Sequence, residues 1–161
     1  MIKLYRYDIE SLPESAADAQ KMRHEVGVML ISQAAKELAG ADAPTVMRTD
    51  NGKPYFKDIP LHFSVSHSEK RVILAVSDRN IGADIQFIAP RNTDIANRYF
   101  TEAECAYIGD DLARFYEIWT KKEAYGKWEG TGLSAALKVD VTNLVFYTEN
   151  DGEYALAVYE K

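Results

Sequence analysis

The chain has 161 residues, 47% of them apolar and 27% charged, which is enough for one globular domain with a real core and excludes a disordered chain. Its net charge of −6, from 19 basic and 25 acidic residues, argues against nonspecific nucleic-acid binding, which draws on Lys and Arg to neutralise phosphates. An anionic ligand must then be met by a local basic cluster, because the overall field opposes its approach.

The opening residues, MIKLYRYDIE, lack the basic and apolar regions of a secretory signal, and residues 2–8 read as a short strand. No apolar run approaches the ~20 residues that span a bilayer. Cys105 is the only cysteine, which rules out an intrachain disulfide and suits a reducing compartment. A cytoplasmic protein without a membrane partner is expected.

Met22, Val26, Met29, Leu30 and Ala34 recur at helical spacing, predicting one amphipathic helix from Ala16 to Leu38, closed by Gly40 and Pro44. Asn51-Gly52 marks a turn between two short extended pieces. Residues 61–66, 71–77 and 81–87 read as strands, with Asp78-Arg79-Asn80 turning between the last two. Residues 89–92 read as a linker. Thr93 or Asp94 can cap a helix running through Arg98, and Thr101 to Glu104 resembles a capping box opening another. A long helix is predicted over 111–129, stopped by Gly130 and Gly132. Strands are predicted near 137–141, 143–148 and 153–159, the last two joined by the Asn150-Asp151-Gly152 turn. The fold class is α+β with largely antiparallel sheets, as a single domain 1–161 whose halves, roughly 1–87 and 88–161, have similar element content.

Four features can carry chemistry. On the strand 81–87, Gly82, Asp84 and Gln86 share one face, with the last two about 7 Å apart along it. A carboxylate in so apolar a run needs a partner, whether a salt bridge, a cap or a ligand. On the long helix, Leu112, Phe115, Tyr116 and Trp119 form the apolar stripe. Glu123 lies eleven residues beyond Leu112, three turns plus about 20°, so it projects from that inward stripe. Lys127 shares its face and Lys122 flanks it; a solvated i,i+4 pair is the bland alternative. Gly126 in mid-helix hints at a close approach by something. Ser66, His67 and Ser68 end a strand, where they can meet an anion or simply make a turn. Arg23 and Lys53 add basic charge. There is no Walker A sequence, dinucleotide fingerprint, zincin motif, zinc-ligand spacing or nucleophile elbow.

In order and spacing, Gly52-Lys53-Pro54, Ser66-His67-Ser68, Ile81-Gly82-Ala83-Asp84 and the helix from Trp119 to Lys127 resemble the Sfp-type phosphopantetheinyl transferases. Arg98-Tyr99-Phe100 and Glu129-Gly130-Thr131-Gly132-Leu133 extend the resemblance over roughly residues 20–135. It implies two α/β half-domains in pseudo-twofold arrangement. It also implies magnesium-dependent (or manganese-dependent) transfer of phosphopantetheine from coenzyme A to a serine of an apo acyl or peptidyl carrier protein, releasing 3′,5′-ADP. Asp84 and Glu123 match the family's metal ligands, with Gln86 at a third position. Lys122 and Lys127 match its catalytic-helix lysines, and Arg23, Lys53, Ser66 and His67 match contacts to coenzyme A phosphates, His67 being also a candidate acid–base group. Glu123 would take the serine proton, directly or through a metal-bound water, and Lys127 would stabilise the departing 3′,5′-ADP.

Two departures stand out. Gln86 is neutral where many relatives carry a carboxylate, and the chain is shorter than typical members, mostly ahead of Arg23. They motivate a second reading, a coenzyme A or carrier-binding protein with weakened turnover; a metal-dependent pyrophosphate hydrolase is a third. A monomer is expected from length and resemblance.

Overall fold

The computed structural model describes residues 1–91 and 93–161. Its first half consists of β1 (Lys3–Asp8), α1 (Ala16–Ala39), β2 (Val46–Arg48), β3 (Pro54–Phe56), β4 (His62–Ser68) and β5 (Arg71–Ser77). There follow β6 (Ile81–Phe87), α2 (Asp94–Tyr99), α3 (Glu102–Ile108), α4 (Leu112–Glu129), α5 (Leu133–Ala136), β7 (Tyr147–Asn150) and β8 (Tyr154–Glu160). The fold is α+β with antiparallel sheets, in the orders β1-β5-β4 and β6-β8-β7, plus the separate hairpin β2-β3. The predicted linker around 89–92 contains Asn92, which lies outside the described residues.

Four layers result. The alternation of β5 sends Val72, Leu74 and Val76 into one core, with Tyr5, Phe63 and the Leu30–Ala34 side of α1. Ile73 and Ala75 go the other way, against Ile81, Ala83 and Ile85 of β6 and Leu156 and Val158 of β8. A strand buried on both faces reads as a continuous apolar run, as Val72 to Val76 does. Beyond the second sheet, α4 covers its outer face, and Phe100, Phe115, Ile118 and Val141 form a third core. Met29, assigned by spacing to the buried stripe of α1, is 44% exposed, whereas Ala35 is buried.

The helix signals behave as their chemistry requires. Ser15 Oγ accepts from Asp18 N–H at the start of α1, and Gly40, at φ 67°, ends it in the left-handed region that glycine adopts without a Cβ penalty. Thr101 and Glu104 form a complete capping box. Thr93 makes no side-chain cap for α2.

β6 pairs with β8, so the strand grouped by sequence with the first half belongs to the second sheet. It nevertheless runs beside β4, and the junction is made by side chains. Ser64, Ser66 and Ser68 Oγ accept the N–H groups of Ala83, Ile85 and Phe87 at 2.9, 3.3 and 2.9 Å, a constant offset of 19 residues. On the far side, Arg6 of β1 pairs with Glu149, and Arg71 with Asp8 and Asp151 at 2.7 and 2.5 Å.

The strands expected at 137–141 and over 143–146 are not formed. Leu137 and Val141 dock into the third core instead, and the carbonyls of Ala136, Leu137 and Val139 turn toward Lys122, so they are unavailable to a ladder.

Candidate active site

The register of α4 on β6 is set by a missing side chain. A Cβ on Gly82 would lie 2.0 Å from Ala124 O and 2.3 Å from Trp128 N, so only glycine lets the helix come this close. Asp84 and Gln86, on the same face of β6, are thereby brought under Glu123 and Lys127.

The result is a cleft of about 530 Å³ between α1, β2, β4, β6 and α4. It gathers Arg23, Ser66, His67, Asp84, Gln86, Glu123 and Lys127, seven of the nine residues singled out in the sequence. An adjoining hollow of about 320 Å³ is lined by Lys53 and shares Arg48, Pro54, Val65 and Lys127 with the first, so the two form one bipartite groove.

Asp84 is 2% exposed, and both its oxygens are engaged. Ser66 Oγ donates to Oδ1 at 2.8 Å, Lys127 Nζ donates to the same oxygen at 2.8 Å, and Gln86 Nε2 donates to Oδ2 at 3.0 Å. Lys127 also donates to Ser66 Oγ at 2.9 Å. Ser66 is therefore a node between Asp84, Lys127 and the Ile85 amide, in addition to facing the cleft.

Glu123 is half-buried, and its carboxylate makes no hydrogen bond among the described residues. Burial pushes its carboxyl above the usual range; the neighbouring Asp84 charge adds to that, and Lys127 opposes it. His67 is held below its usual value, first by burial and then by the cations of Arg23 and Lys127, so it favours the neutral ring. Arg23 Nε donates to Glu69 O at 2.7 Å, which leans the guanidinium along the cleft's edge.

Two sequence candidates lie outside the larger cleft, Lys53 in the adjoining hollow and Lys122 in neither part of the groove. Lys53 Nζ donates to Asn80 Oδ1 at 2.5 Å and to Trp128 O at 2.7 Å, tying the β2-β3 hairpin to the end of α4; burial lowers it to about 8. Lys122 is not brought to the cleft. It is fully buried, 2.8 Å from Glu104 Oε2, on the flank of α4 that faces α3 and α5. What approaches Gly126 is the backbone of Gly132: a Cβ there would lie 2.7 Å from its carbonyl oxygen.

Sequence reasoning passed over Arg48, which lines both parts of the groove, and Gln20 and His24 of α1. The α1 residues had a signal: Gln20, Arg23, His24 and Gly27 fall at i, i+3, i+4 and i+7, one face of a helix. Gly27 packs that face against β4, its Cβ position 3.3 Å from Val65 Cγ2. Arg48 lies on a three-residue strand, too short for any periodicity to show.

Among the described residues, no group of three or more His, Cys, Asp or Glu side chains is arranged to hold a metal ion. Asp84, Glu123 and the Gln86 amide are nonetheless hard oxygen donors around one cleft. Burial first, and the Asp84 charge second, disfavour the charged form of Glu123, and a hard cation completed by substrate oxygens and water would offset both. The donor set fits magnesium of that kind.

A sequence profile of the 4′-phosphopantetheinyl transferase superfamily matches residues 80–161. A 4′-phosphopantetheinyl transferase of Bacillus subtilis is 35% identical over 120 residues, covering 70% of this chain and 54% of the relative. The transferase Sfp of Bacillus subtilis (strain 168) is 40% identical over 95 residues, 53% of this chain and 41% of the relative. AcpT of Salmonella typhimurium is 35% identical over 125 residues, 72% and 62% respectively. The chain thus spans about half the length of the curated relatives it matches. On that match and those identities, the chain belongs to the 4′-phosphopantetheinyl transferase superfamily.

Proposed function

We propose that the chain transfers the 4′-phosphopantetheine group of coenzyme A to a serine of an apo acyl or peptidyl carrier protein, with magnesium. The observation that carries this reading is the half-buried Glu123 carboxylate, without a hydrogen-bond partner among the described residues, beside the Asp84–Lys127 pair in a groove edged by Arg23 and His67.

The groove suits an extended anionic donor. Arg23, Arg48 and Lys127 supply positive charge against the net −6 of the chain, and the neutral His67 ring can donate to a phosphate oxygen. Glu123 accepts the serine hydroxyl proton; its upward shift brings it closer to the basicity that the task requires. As the serine oxygen bonds to the pantetheine phosphorus, the bond from that phosphorus to the 3′,5′-ADP oxygen breaks, and the electron pair leaves with 3′,5′-ADP. Lys127 is placed to neutralise the departing phosphate. Asp84, Glu123 and Gln86 would hold the magnesium ion, which supplies charge neutralisation on the donor's phosphate oxygens. Ser66 keeps Asp84 and Lys127 in their relative places.

In the same reading the two helix-on-sheet halves, α1 on β1-β5-β4 and α4 on β6-β8-β7, are related by an approximate two-fold, and the chain works as a cytoplasmic monomer. The weakened-turnover reading draws on one observation: both Asp84 oxygens already accept hydrogen bonds, and Gln86 turns its N–H rather than its oxygen to Asp84. One experiment separates the two. The protein is incubated with magnesium, coenzyme A and several apo carrier proteins, and each carrier is weighed by mass spectrometry. A carrier that gains one phosphopantetheine supports transfer. Coenzyme A binding without any modified carrier supports the alternative, and release of 3′,5′-ADP without an acceptor indicates hydrolysis.

A further inference from the structure

Lys122 precedes Glu123 on α4 but points the other way, into a fully enclosed polar hub. Its ammonium is 2.8 Å from Glu104 Oε2 and donates to the carbonyls of Val139 at 2.8 Å, Leu137 at 3.1 Å and Ala136 at 3.4 Å. Glu104 is equally enclosed; its Oε1 accepts from Val141 N–H at 2.9 Å and its Oε2 from Thr101 N–H at 3.0 Å. Both side chains are 0% exposed. Two charges so placed, with their donors and acceptors satisfied, hold one geometry well and tolerate others poorly.

The hub joins three segments: the start of α3, the middle of α4, and the 136–141 stretch. One turn beyond Lys122, Gly126 is packed against the Gly132 backbone, so the turn into α5, just ahead of that stretch, presses on α4 at a second point. The opposite flank of α4 rests on Gly82 of β6, with no space for a Cβ. A helix clamped on both flanks cannot slide along the strand, and Glu123 lies between the clamps.

We propose that Glu104 and Lys122 are positioning residues for the transfer reaction: the ion pair fixes the place of α4 along β6 and so sets where Glu123 stands relative to Asp84. The proposal rests on the functional reading given above for its kinetic consequence, and on the packing alone for its structural one. The groups that face an anionic donor from α1 and β4, Arg23 and His67, are untouched by the hub, so its loss falls on turnover and spares donor binding.

The test compares wild type with the double variant Glu104→Gln/Lys122→Met, in which both charges leave together and no lone ion is stranded. The double variant should fold, with kcat for carrier modification reduced at least ~10-fold and KM for coenzyme A within ~3-fold of wild type. The amide resonances of Gly82, Ala124 and Trp128, which report the α4–β6 contact, should move. Wild-type kcat in the folded variant, or unmoved resonances, overturns the proposal. If wild type itself modifies no carrier, the functional reading fails, and the resonances alone decide the positioning role. Should the double variant not fold, the same measurements on Glu104→Asp decide, since aspartate keeps the charge and both acceptor oxygens and withdraws them by one methylene from Lys122.

Discussion

Lys127 Nζ on α4 and Asp84 Oδ1 on β6 lie 2.8 Å apart, joining a lysine side chain that is 34% exposed to a carboxylate that is 3% exposed. The asymmetry means that losing the lysine strands the carboxylate, whereas the reverse loss lets the lysine turn to water. Lys127→Met should therefore destabilise the fold by ~1–3 kcal/mol, below the cost for a fully enclosed pair because solvent screens the lysine. Asp84→Asn should cost less. Denaturant unfolding of both variants checks the order, and equal losses would contradict it. Both variants should lose transfer activity.

Glu123 should show stability and activity pulling in opposite directions. Its folded carboxyl is shifted upward, so between the unfolded value and the shifted one the folded state holds more protons, and stability falls as pH rises through that window. At neutral pH the charged Glu123 is thus a destabilising element. Glu123→Gln should raise the thermal midpoint at pH 7, lose that advantage below about pH 4, and abolish carrier modification. A lower midpoint at pH 7, or near-normal transfer, would refute the role given to it.

The serine seam separates structure from chemistry. Ser64→Ala and Ser66→Ala each leave one β6 amide without its acceptor, costing ~1–3 kcal/mol apiece. Only Ser66 also holds Asp84 and Lys127. Similar stability losses with an activity defect confined to Ser66→Ala are expected from unfolding curves and the carrier assay. An equal defect in Ser64→Ala would show that the seam acts globally.

His67 titrates low because it is buried beside Arg23 and Lys127. The folded state therefore resists protonation that the unfolded chain accepts, so stability drops as pH falls from about 6.5. A phosphate group bound next to the ring should reverse the shift. Proton NMR of His67 with and without coenzyme A should show its value rising on binding; no change would remove His67 from the donor site.

Much of the site was legible in the sequence, and the reasons are local. Glu123 projects inward because eleven residues return a helix to nearly the same face, and Asp84 and Gln86 share a face because strands alternate. Where the reading departed from the structure, the deciding contacts were remote. Leu137, Val139 and Val141 alternate like a strand, but the carbonyls of Ala136, Leu137 and Val139 are claimed by Lys122, 14–17 residues back in the chain. The same remoteness hid the burial of Lys122: its partner Glu104 belongs to a separate helix and shows in the sequence only as a capping residue. Lys53 likewise reads as a solvated charge until the fold brings Trp128 O to it. Gly82 reads as a motif glycine, and only packing reveals that a backbone carbonyl fills the space of its Cβ.

The hydroxyl seam also bears on how this molecule avoids its own kind. β6 is an outermost strand of its sheet and would otherwise offer a free row of amides to another chain. The serine oxygens on one face of β4 take up the Ala83, Ile85 and Phe87 amides, which leaves β7 as the open border of that sheet, while β1 borders the other. β7 is four residues long and β1 carries Lys3 and Arg6, features that discourage strand addition. Breaking the seam would therefore expose the β6 border, and variants such as Ser64→Ala should aggregate on heating before they lose the fold's other contacts.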